Sequence, residues 1–323
     1  MIAHLERFFP KKEFKTLKNI LITGVAGFIG SKLAKYLLLE GYSIVGIDNF
    51  KTGDANNIPN SVDFILGDCA DSTIYETKQL SGKIFDTIIH LAGQSSGEIS
   101  FDDPVQDLKD NCVSTLNLLE YARKISCKNF IFASSMSVYG AVNNFPVNES
   151  HPTEPISMYA VGKLASENYL RIFQQYGISS VALRLFNTYG PGQNMTNLKQ
   201  GMASIYLAQA LNGSRIVVKG APDRFRDLIY IDDVTYIFGR FVKKPLVGSE
   251  VYNVCTGVET KVSRLIDVIK LGLNRESIAV DYTEGTPGDQ FGIVGDNTRL
   301  TQKLGKIDFV DIKSGVKKFI KSL

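Results

Sequence analysis

The chain has 323 residues, 44% of them hydrophobic and 21% charged, with a formal net charge of +3 spread along its length. That is enough chain for a large buried core in one or two lobes, and the balance is that of a soluble globular protein. It excludes a basic nucleic-acid face, an apolar membrane span and, with three scattered histidines and no Cys-x-x-Cys, a metal cluster.

In chain order, residues 1–18 mix charged with apolar residues and read as an N-terminal extension, without the apolar core of a signal peptide. Asn19 to Thr23 reads as a strand and Phe28 to Leu39 as the helix behind it. Further strands are expected at Ser43 to Asp48, Val62 to Leu66, Thr87 to Leu91, Phe130 to Ala133 and Ser180 to Leu185. Long helices are expected over Val105 to Arg123 and Ser157 to Tyr176, the latter with Ser157 as N-cap behind Pro155. This alternation predicts an α/β fold, a doubly wound parallel sheet covered on both faces. After Tyr189 the regularity weakens. A helix over Leu198 to Leu211, strands near Ile216 and Leu228, and helices near Val234, Val262 and Val316 suggest a smaller C-terminal α/β lobe. The expected division is 19–187 plus about 228–255 for the main domain, and about 188–227 plus 256–323 for the lobe. Cys69, Cys112, Cys127 and Cys255 are expected as free thiols in a cytoplasmic protein.

Gly24-Val-Ala-Gly27-Phe-Ile-Gly30 follows the first strand and opens the first helix. Glycines there let the backbone turn tightly and approach a pyrophosphate, which the unpaired N–H groups of the helix end can hold. A ligand-free strand–helix turn is the plain alternative, and the strand–turn–helix context argues against it. Asp48 ends the second strand, where a carboxylate can bond the adenosine ribose hydroxyls and repel a 2′-phosphate. NAD is therefore expected rather than NADP.

These motifs resemble those of the extended short-chain dehydrogenase/reductase family, in its NAD-dependent epimerase/dehydratase group. Asp48-Asn49-Phe50-x-Thr52-Gly53 is similar to the second-strand loop of UDP-glucose 4-epimerases. Gly67-Asp68, His90-Leu-Ala-Gly93, Asn111, Ser134-Ser135-Met-Ser-Val-Tyr139-Gly140, Tyr159-x-x-x-Lys163 and Arg184-Leu-Phe-Asn187-x-Tyr-Gly-Pro-Gly192 follow in family order. Arg226-Asp227-x-x-Tyr230-x-x-Asp233 and Pro287-Gly288-Asp289 extend the likeness into the lobe. The resemblance spans nearly the whole chain after its first eighteen residues. It implies a Rossmann-type sheet. The cofactor-binding set is then Gly24, Gly27, Phe28, Ile29, Gly30, Asp48, Asn49, Phe50, Thr52, Gly53, Asp68, Cys69, Leu91, Ala92, Gly93, Asn111, Tyr159, Lys163 and Phe186. The substrate set is Ser95, Ser135, Met136, Asn187, Asn197, Leu198, Arg226 and Asp289, with no metal.

Tyr159 and Lys163 lie one helical turn apart and share a face. A phenol is a poor base at neutral pH, and a nearby ammonium is expected to lower its pKa. Tyr159 could then take a sugar hydroxyl proton while hydride leaves the same carbon, with Lys163 reaching the nicotinamide ribose and Ser135 bonding the oxygen that becomes a carbonyl. An incidental Tyr–Lys pair is the plain alternative, weakened by Ser135 and the glycines. Dehydratases of the family carry an Asp-Glu pair after the residue matching Ser135. Met136 and Ser137 stand there and cannot do that acid chemistry. The implied activity is nucleotide-sugar 4-epimerisation through a 4-keto sugar. Other readings are 2-epimerisation, 4-keto reduction, dehydration, or a dinucleotide-sensing regulator without chemistry.

Arg226 is expected to fork onto a phosphate, against an ion pair with Asp227 or Asp232. Thr286 replaces an arginine usual in the family, so a second diphosphate clamp is either missing or supplied by Arg224 or Lys219. Ser95 replaces the lysine of galactose epimerases, and Ile293 falls where the family sets pocket size, leaving room for a 2-acetamido group. The family also pairs its two long helices across a two-fold axis into a four-helix bundle. Leu116, Leu119, Leu164 and Phe173 suggest the same homodimer here.

Overall fold

The computed structural model describes residues 18–197, 201–213, 215–285 and 291–323. Its first half runs β1 (Asn19–Thr23), α1 (Phe28–Leu39), β2 (Ser43–Asp48), β3 (Asp63–Leu66), β4 (Thr87–His90), α2 (Pro104–Leu108), α3 (Ser114–Lys124), β5 (Asn129–Ser135), α4 (Met158–Phe173) and β6 (Ser179–Leu185). Its second half runs β7 (Asn187–Tyr189), α5 (Met202–Asn212), β8 (Arg215–Lys219), β9 (Phe225–Tyr230), α6 (Ile231–Lys243), β10 (Ser249–Val254), β11 (Glu259–Lys261), α7 (Val262–Gly272), β12 (Ala279–Thr283), β13 (Gly292–Ile293), α8 (Thr298–Leu304) and α9 (Ile312–Lys321).

Seven parallel strands form the main sheet in the order β10-β6-β5-β4-β1-β2-β3. Alternate residues of β1 feed opposite cores, as a pleated strand requires. Ile20 and Ile22 join Leu33 and Leu37 of α1 and Phe238 and Phe241 of α6, whereas Leu21 joins Leu118 of α3 and Leu170 of α4. Helix α1 presents Gly30, Ser31, Leu33, Ala34 and Leu37 to the sheet, a helical stripe, and Gly41 closes it at φ 85°. The strand order reverses between β4 and β1, which opens a ligand crevice at the carboxyl ends of these strands.

The lobe holds β11, β9 and β13 in order, with β7 alongside β9, and a separate β8–β12 pair. Residues 228–230, expected in the main sheet, belong instead to β9 of this small sheet. Of the stretch 228–255, α6 and β10 return to the main domain, β10 pairing with β6. The helix expected over Val105 to Arg123 is interrupted by a π-turn, Lys109–Val113. There the Asn111 carbonyl accepts from the hydroxyls of Thr115 at 2.6 Å and Ser166 at 3.0 Å. These side-chain donors compete with the regular backbone ladder, and such π-turns often mark functional sites. The helix expected over Leu198 to Leu211 is described from Met202; residues 198–200 lie outside the described residues.

Among the four residues expected to face a partner, Leu119 and Phe173 are buried against the sheet and Leu116 packs beside them. Leu164 packs against Val138 and Ile293 near the site. The exposed apolar side chains of these helices are Val105, Leu108, Met158, Val161 and Ile172. All four cysteines are free and buried. No described helix is long and apolar enough to cross a membrane, and the described residues contain no metal-binding cluster.

Candidate active site

The β1–α1 turn is closed so tightly that side chains cannot enter it. A Cβ on Gly24 would come within 2.7 Å of the Ala92 amide nitrogen, and one on Gly30 within 2.0 Å of the Gly24 carbonyl oxygen. Gly24 also has a φ of 72°, a region that favours glycine. Gly27 caps α1 without a side-chain hydrogen bond, and the first turn carries no acid. The N–H groups beside Phe28 and Ile29 therefore remain for an anion. Leu91, Ala92 and Gly93 form the facing wall after β4. At Gly93 a Cβ would meet the Asn111 Oδ1 at 2.6 Å. That oxygen is buried without a partner among the described residues.

Asp48, buried at the end of β2, accepts from the Ala26 N–H at 2.9 Å and the Phe50 N–H at 2.8 Å. Its carboxylate thus faces the glycine turn in a fixed direction. Thr52 and Gly53 continue this loop, and a Cβ on Gly53 would crowd Ala26. Asn49 donates to Asp68 at 3.1 Å, joining the loops after β2 and β3. Cys69 is buried, and its carbonyl accepts from the Tyr75 hydroxyl at 3.2 Å. These residues fit NAD: a glycine cradle, uncapped helix donors, and an acid placed for ribose rather than for a second phosphate.

Ser135 ends β5, and Tyr159 and Lys163 rise on the first turns of α4. Ser157 caps that helix, accepting from the Ala160 N–H at 3.2 Å. Ser135 hydrogen-bonds the Tyr159 phenol. The Lys163 ammonium is buried, 4.8 Å from the Phe132 ring centroid and 5.6 Å from that of Tyr159. Burial pushes the phenol up to about 12, opposed by the Ser135 hydrogen bond and assisted by the Asp107 carboxylate. The lowering expected from Lys163 is not observed: burial dominates at the phenol. Burial brings Lys163 down to about 8, against the upward pull of Asp107 and Cys112.

Asp107 was not singled out by its sequence context. It is buried on α2, pushed up to about 6 by burial, and bonded by the Asn111 side-chain amide at 3.2 Å. Its spacing of four from Asn111 was the available signal. His90 is also buried, between Thr23 at 2.7 Å and Ser114 at 3.4 Å. Burial, then Lys163, lowers it to about 3, so it stays neutral. Because Asp107 raises both Tyr159 and Lys163, Asp107→Asn should move both limbs of the pH–rate profile towards lower pH. A profile that merely loses height, with both limbs in place, contradicts that electrostatic role.

Behind Ser135 the strand turns Ser134 the other way, into a buried polar network. Ser134 donates to Glu167 at 2.5 Å, and Arg184 grips both Glu167 oxygens at 2.9 and 2.7 Å. Arg184 also lies over the Tyr139 ring at 4.8 Å, and Tyr139 donates to Asn253 at 2.6 Å. The network registers α4 against β5, β6 and β10. Glu167, four residues after Lys163 on the same helix face, could have been suspected from that spacing.

On the lobe side, Asn187 opens β7, and its buried Oδ1 has no partner among the described residues. Phe186 turns its ring into a cluster with Val138, Tyr139, Cys255 and Ile293, against which Met136 packs. Arg226 on β9 is buried and donates to the carbonyls of Phe225 at 2.7 Å and Phe291 at 3.1 Å. Asp227 is engaged otherwise, by Thr256, Gly257 and Gly295. Lys219 faces Glu98 at 3.7 Å, and Arg224 donates to the Lys219 carbonyl. Ser95 is exposed after β4 and Asn197 is half-buried. Leu198, Thr286 and Asp289 lie outside the described residues.

Residues 20–255 match the model of the NAD dependent epimerase/dehydratase family. A UDP-glucose 4-epimerase of Mycolicibacterium smegmatis is 34% identical, covering 93% of this chain and 96% of its own. The Thermotoga maritima UDP-glucose 4-epimerase, solved with UDP-glucose, superposes with a TM-score of 0.89 at 32% identity, over 94% of this chain and 98% of its own. The Thermus thermophilus UDP-glucose 4-epimerase, solved with NAD, gives 0.86 at 29% identity over 94% and 98%. The fold, the glycine cradle and these matches together make the chain a member of the NAD dependent epimerase/dehydratase family.

Proposed function

We propose that the protein is an NAD-dependent nucleotide-sugar 4-epimerase, acting on UDP-linked hexoses. The observation that carries this reading is Ser135, Tyr159 and Lys163 meeting beside the glycine cradle, with no acid at Met136 or Ser137 to drive dehydration. NAD held by the glycine cradle and Asp48 would supply hydride acceptance and return at C4 of the sugar, and its positive ring would favour the phenolate of Tyr159. Tyr159 takes the C4 hydroxyl proton and gives it back. Ser135 bonds the oxygen as it becomes a carbonyl, and buried Lys163 holds positive charge beside the phenol. The 4-keto sugar turns over in the pocket and is reduced on its other face. Retention of both Tyr159 and Lys163 favours an enzyme over a dinucleotide-sensing regulator.

The lobe, including β9, supplies the substrate side. Asn187, through its side-chain NH2, and Arg226 are the described residues this reading assigns to the nucleotide diphosphate, on their match to the family's motif positions. Leu198 and Asp289 join this proposal on sequence grounds. Purified protein without added NAD should interconvert UDP-glucose and UDP-galactose, or their N-acetyl forms. Turnover that needs stoichiometric reduced cofactor would make it a reductase instead.

The exposed apolar residues on α2 and α4, among them Val105, Leu108, Val161 and Ile172, support a homodimer in which these helices form a four-helix bundle. Sedimentation at micromolar concentration should give twice the chain mass; a monomer there would end this part of the proposal. A cytoplasmic location accords with the four free thiols.

A further inference from the structure

Two hydroxyls two residues apart meet at the catalytic end of β5. Ser135 Oγ accepts the Ser137 N–H at 3.2 Å and lies 2.7 Å from Ser137 Oγ. It also hydrogen-bonds the Tyr159 phenol. A hydroxyl has one proton and two lone pairs. The Ser137 amide fills one lone pair of Ser135. The remaining lone pair and the proton must be divided between Ser137 Oγ and Tyr159, so the three oxygens form a directional chain. When Tyr159 is a phenol it can donate to Ser135, which donates on to Ser137. When Tyr159 is a phenolate it only accepts, so Ser135 must donate to it and Ser137 must donate to Ser135.

We propose that Ser137 is a positioning residue: its amide and hydroxyl fill both lone pairs of Ser135, so the single Ser135 proton points outward, to the Tyr159 phenolate before the step and to the sugar oxygen once Tyr159 has taken the sugar's proton and the carbonyl forms. The inference rests on the epimerase reading. In the step itself the sugar O–H bond breaks and its proton passes to the Tyr159 oxygen, while the C4 hydride passes to NAD. The two serine hydroxyls rotate and carry no net proton. Without Ser137 Oγ, the Ser135 rotor loses the partner that holds it in the donating direction, and the phenolate is less well stabilised. The charged groups facing this chain are Lys163 on α4 itself and Asp107 from α2, with Cys112 of the π-turn and neutral His90 of β4 beside Lys163. None of them is altered by a change at Ser137.

The test compares wild type, Ser137→Ala and Ser137→Thr as NAD-bound proteins. Ultraviolet difference titration, with Tyr159→Phe as blank, reads the phenolate directly. Ser137→Ala should raise the midpoint by about one pH unit, the size expected from losing one hydrogen bond's support. Ser137→Thr, which keeps the hydroxyl, should restore it. The acid limb of turnover should move up with the titration while KM stays unchanged. A wild-type midpoint in Ser137→Ala overturns the proposal even if turnover falls, and so does a failure of threonine to restore it. If no sugar is epimerised by any of the three proteins, the titration still decides the role of Ser137, and the failure belongs to the epimerase reading.

Discussion

Tyr159→Phe should lower turnover by a factor of about a hundred to ten thousand while NAD stays bound. The substitution removes a single oxygen. That oxygen hydrogen-bonds Ser135, whereas the ring packs beside Lys163, whose ammonium lies 5.6 Å from its centroid. The fold and the glycine cradle do not depend on it. The loss should fall on turnover rather than on substrate affinity, because a general base acts in the transition state. Ser135→Ala should follow the same pattern, since its hydrogen bond strengthens as the carbonyl forms. Lys163→Ala should weaken NAD as well. Undiminished epimerisation by Tyr159→Phe, with the cofactor confirmed in place, would remove the proposed base.

The second large effect is on stability. Glu167→Ala leaves the Arg184 guanidinium buried and stripped of both carboxylate oxygens, at 6% side-chain exposure. Breaking a buried pair from one side costs about 3–5 kcal/mol, because the remaining charge stays desolvated. Ser134 loses its acceptor in the same change. Urea unfolding of the NAD-bound protein should therefore show a clearly lower midpoint. Replacing both partners, as in Glu167→Leu with Arg184→Met, should recover much of the loss, since two apolar side chains leave no charge uncompensated. An unchanged midpoint in Glu167→Ala would mean that water reaches Arg184 and the network is not closed.

Much of the main domain was legible because parallel strands covered on both faces read as continuous apolar runs. The bounds expected for β1, α1 and β2 are those observed, and Ser157 caps α4 as its position after Pro155 suggested. What escaped the sequence depends on partners distant along the chain. The π-turn at Asn111 answers to Ser166, on another helix. β9 joins the small sheet because Phe225 and Arg226 pair with Gly292 and Ile293. Leu119 and Phe173 looked surplus to the sheet, yet the sheet buries them, and the unpartnered apolar side chains lie elsewhere on neighbouring turns. In the candidate site, the Tyr159–Lys163 pair on one helix face and the tight glycine turn were legible through local spacing. The height of the Tyr159 pKa was not, because burial and the nearby Asp107 carboxylate depend on the packed geometry around the phenol.

The central claim is that hydrogen leaves C4 of the sugar as hydride and returns to the same carbon. A UDP-hexose carrying deuterium at C4, incubated with the purified protein in ordinary water and without added NAD, tests it most directly. The epimerised product should keep its deuterium at C4. Loss of the label to solvent at the rate of epimerisation would show that the carbon is deprotonated instead, and would contradict hydride transfer through the cofactor.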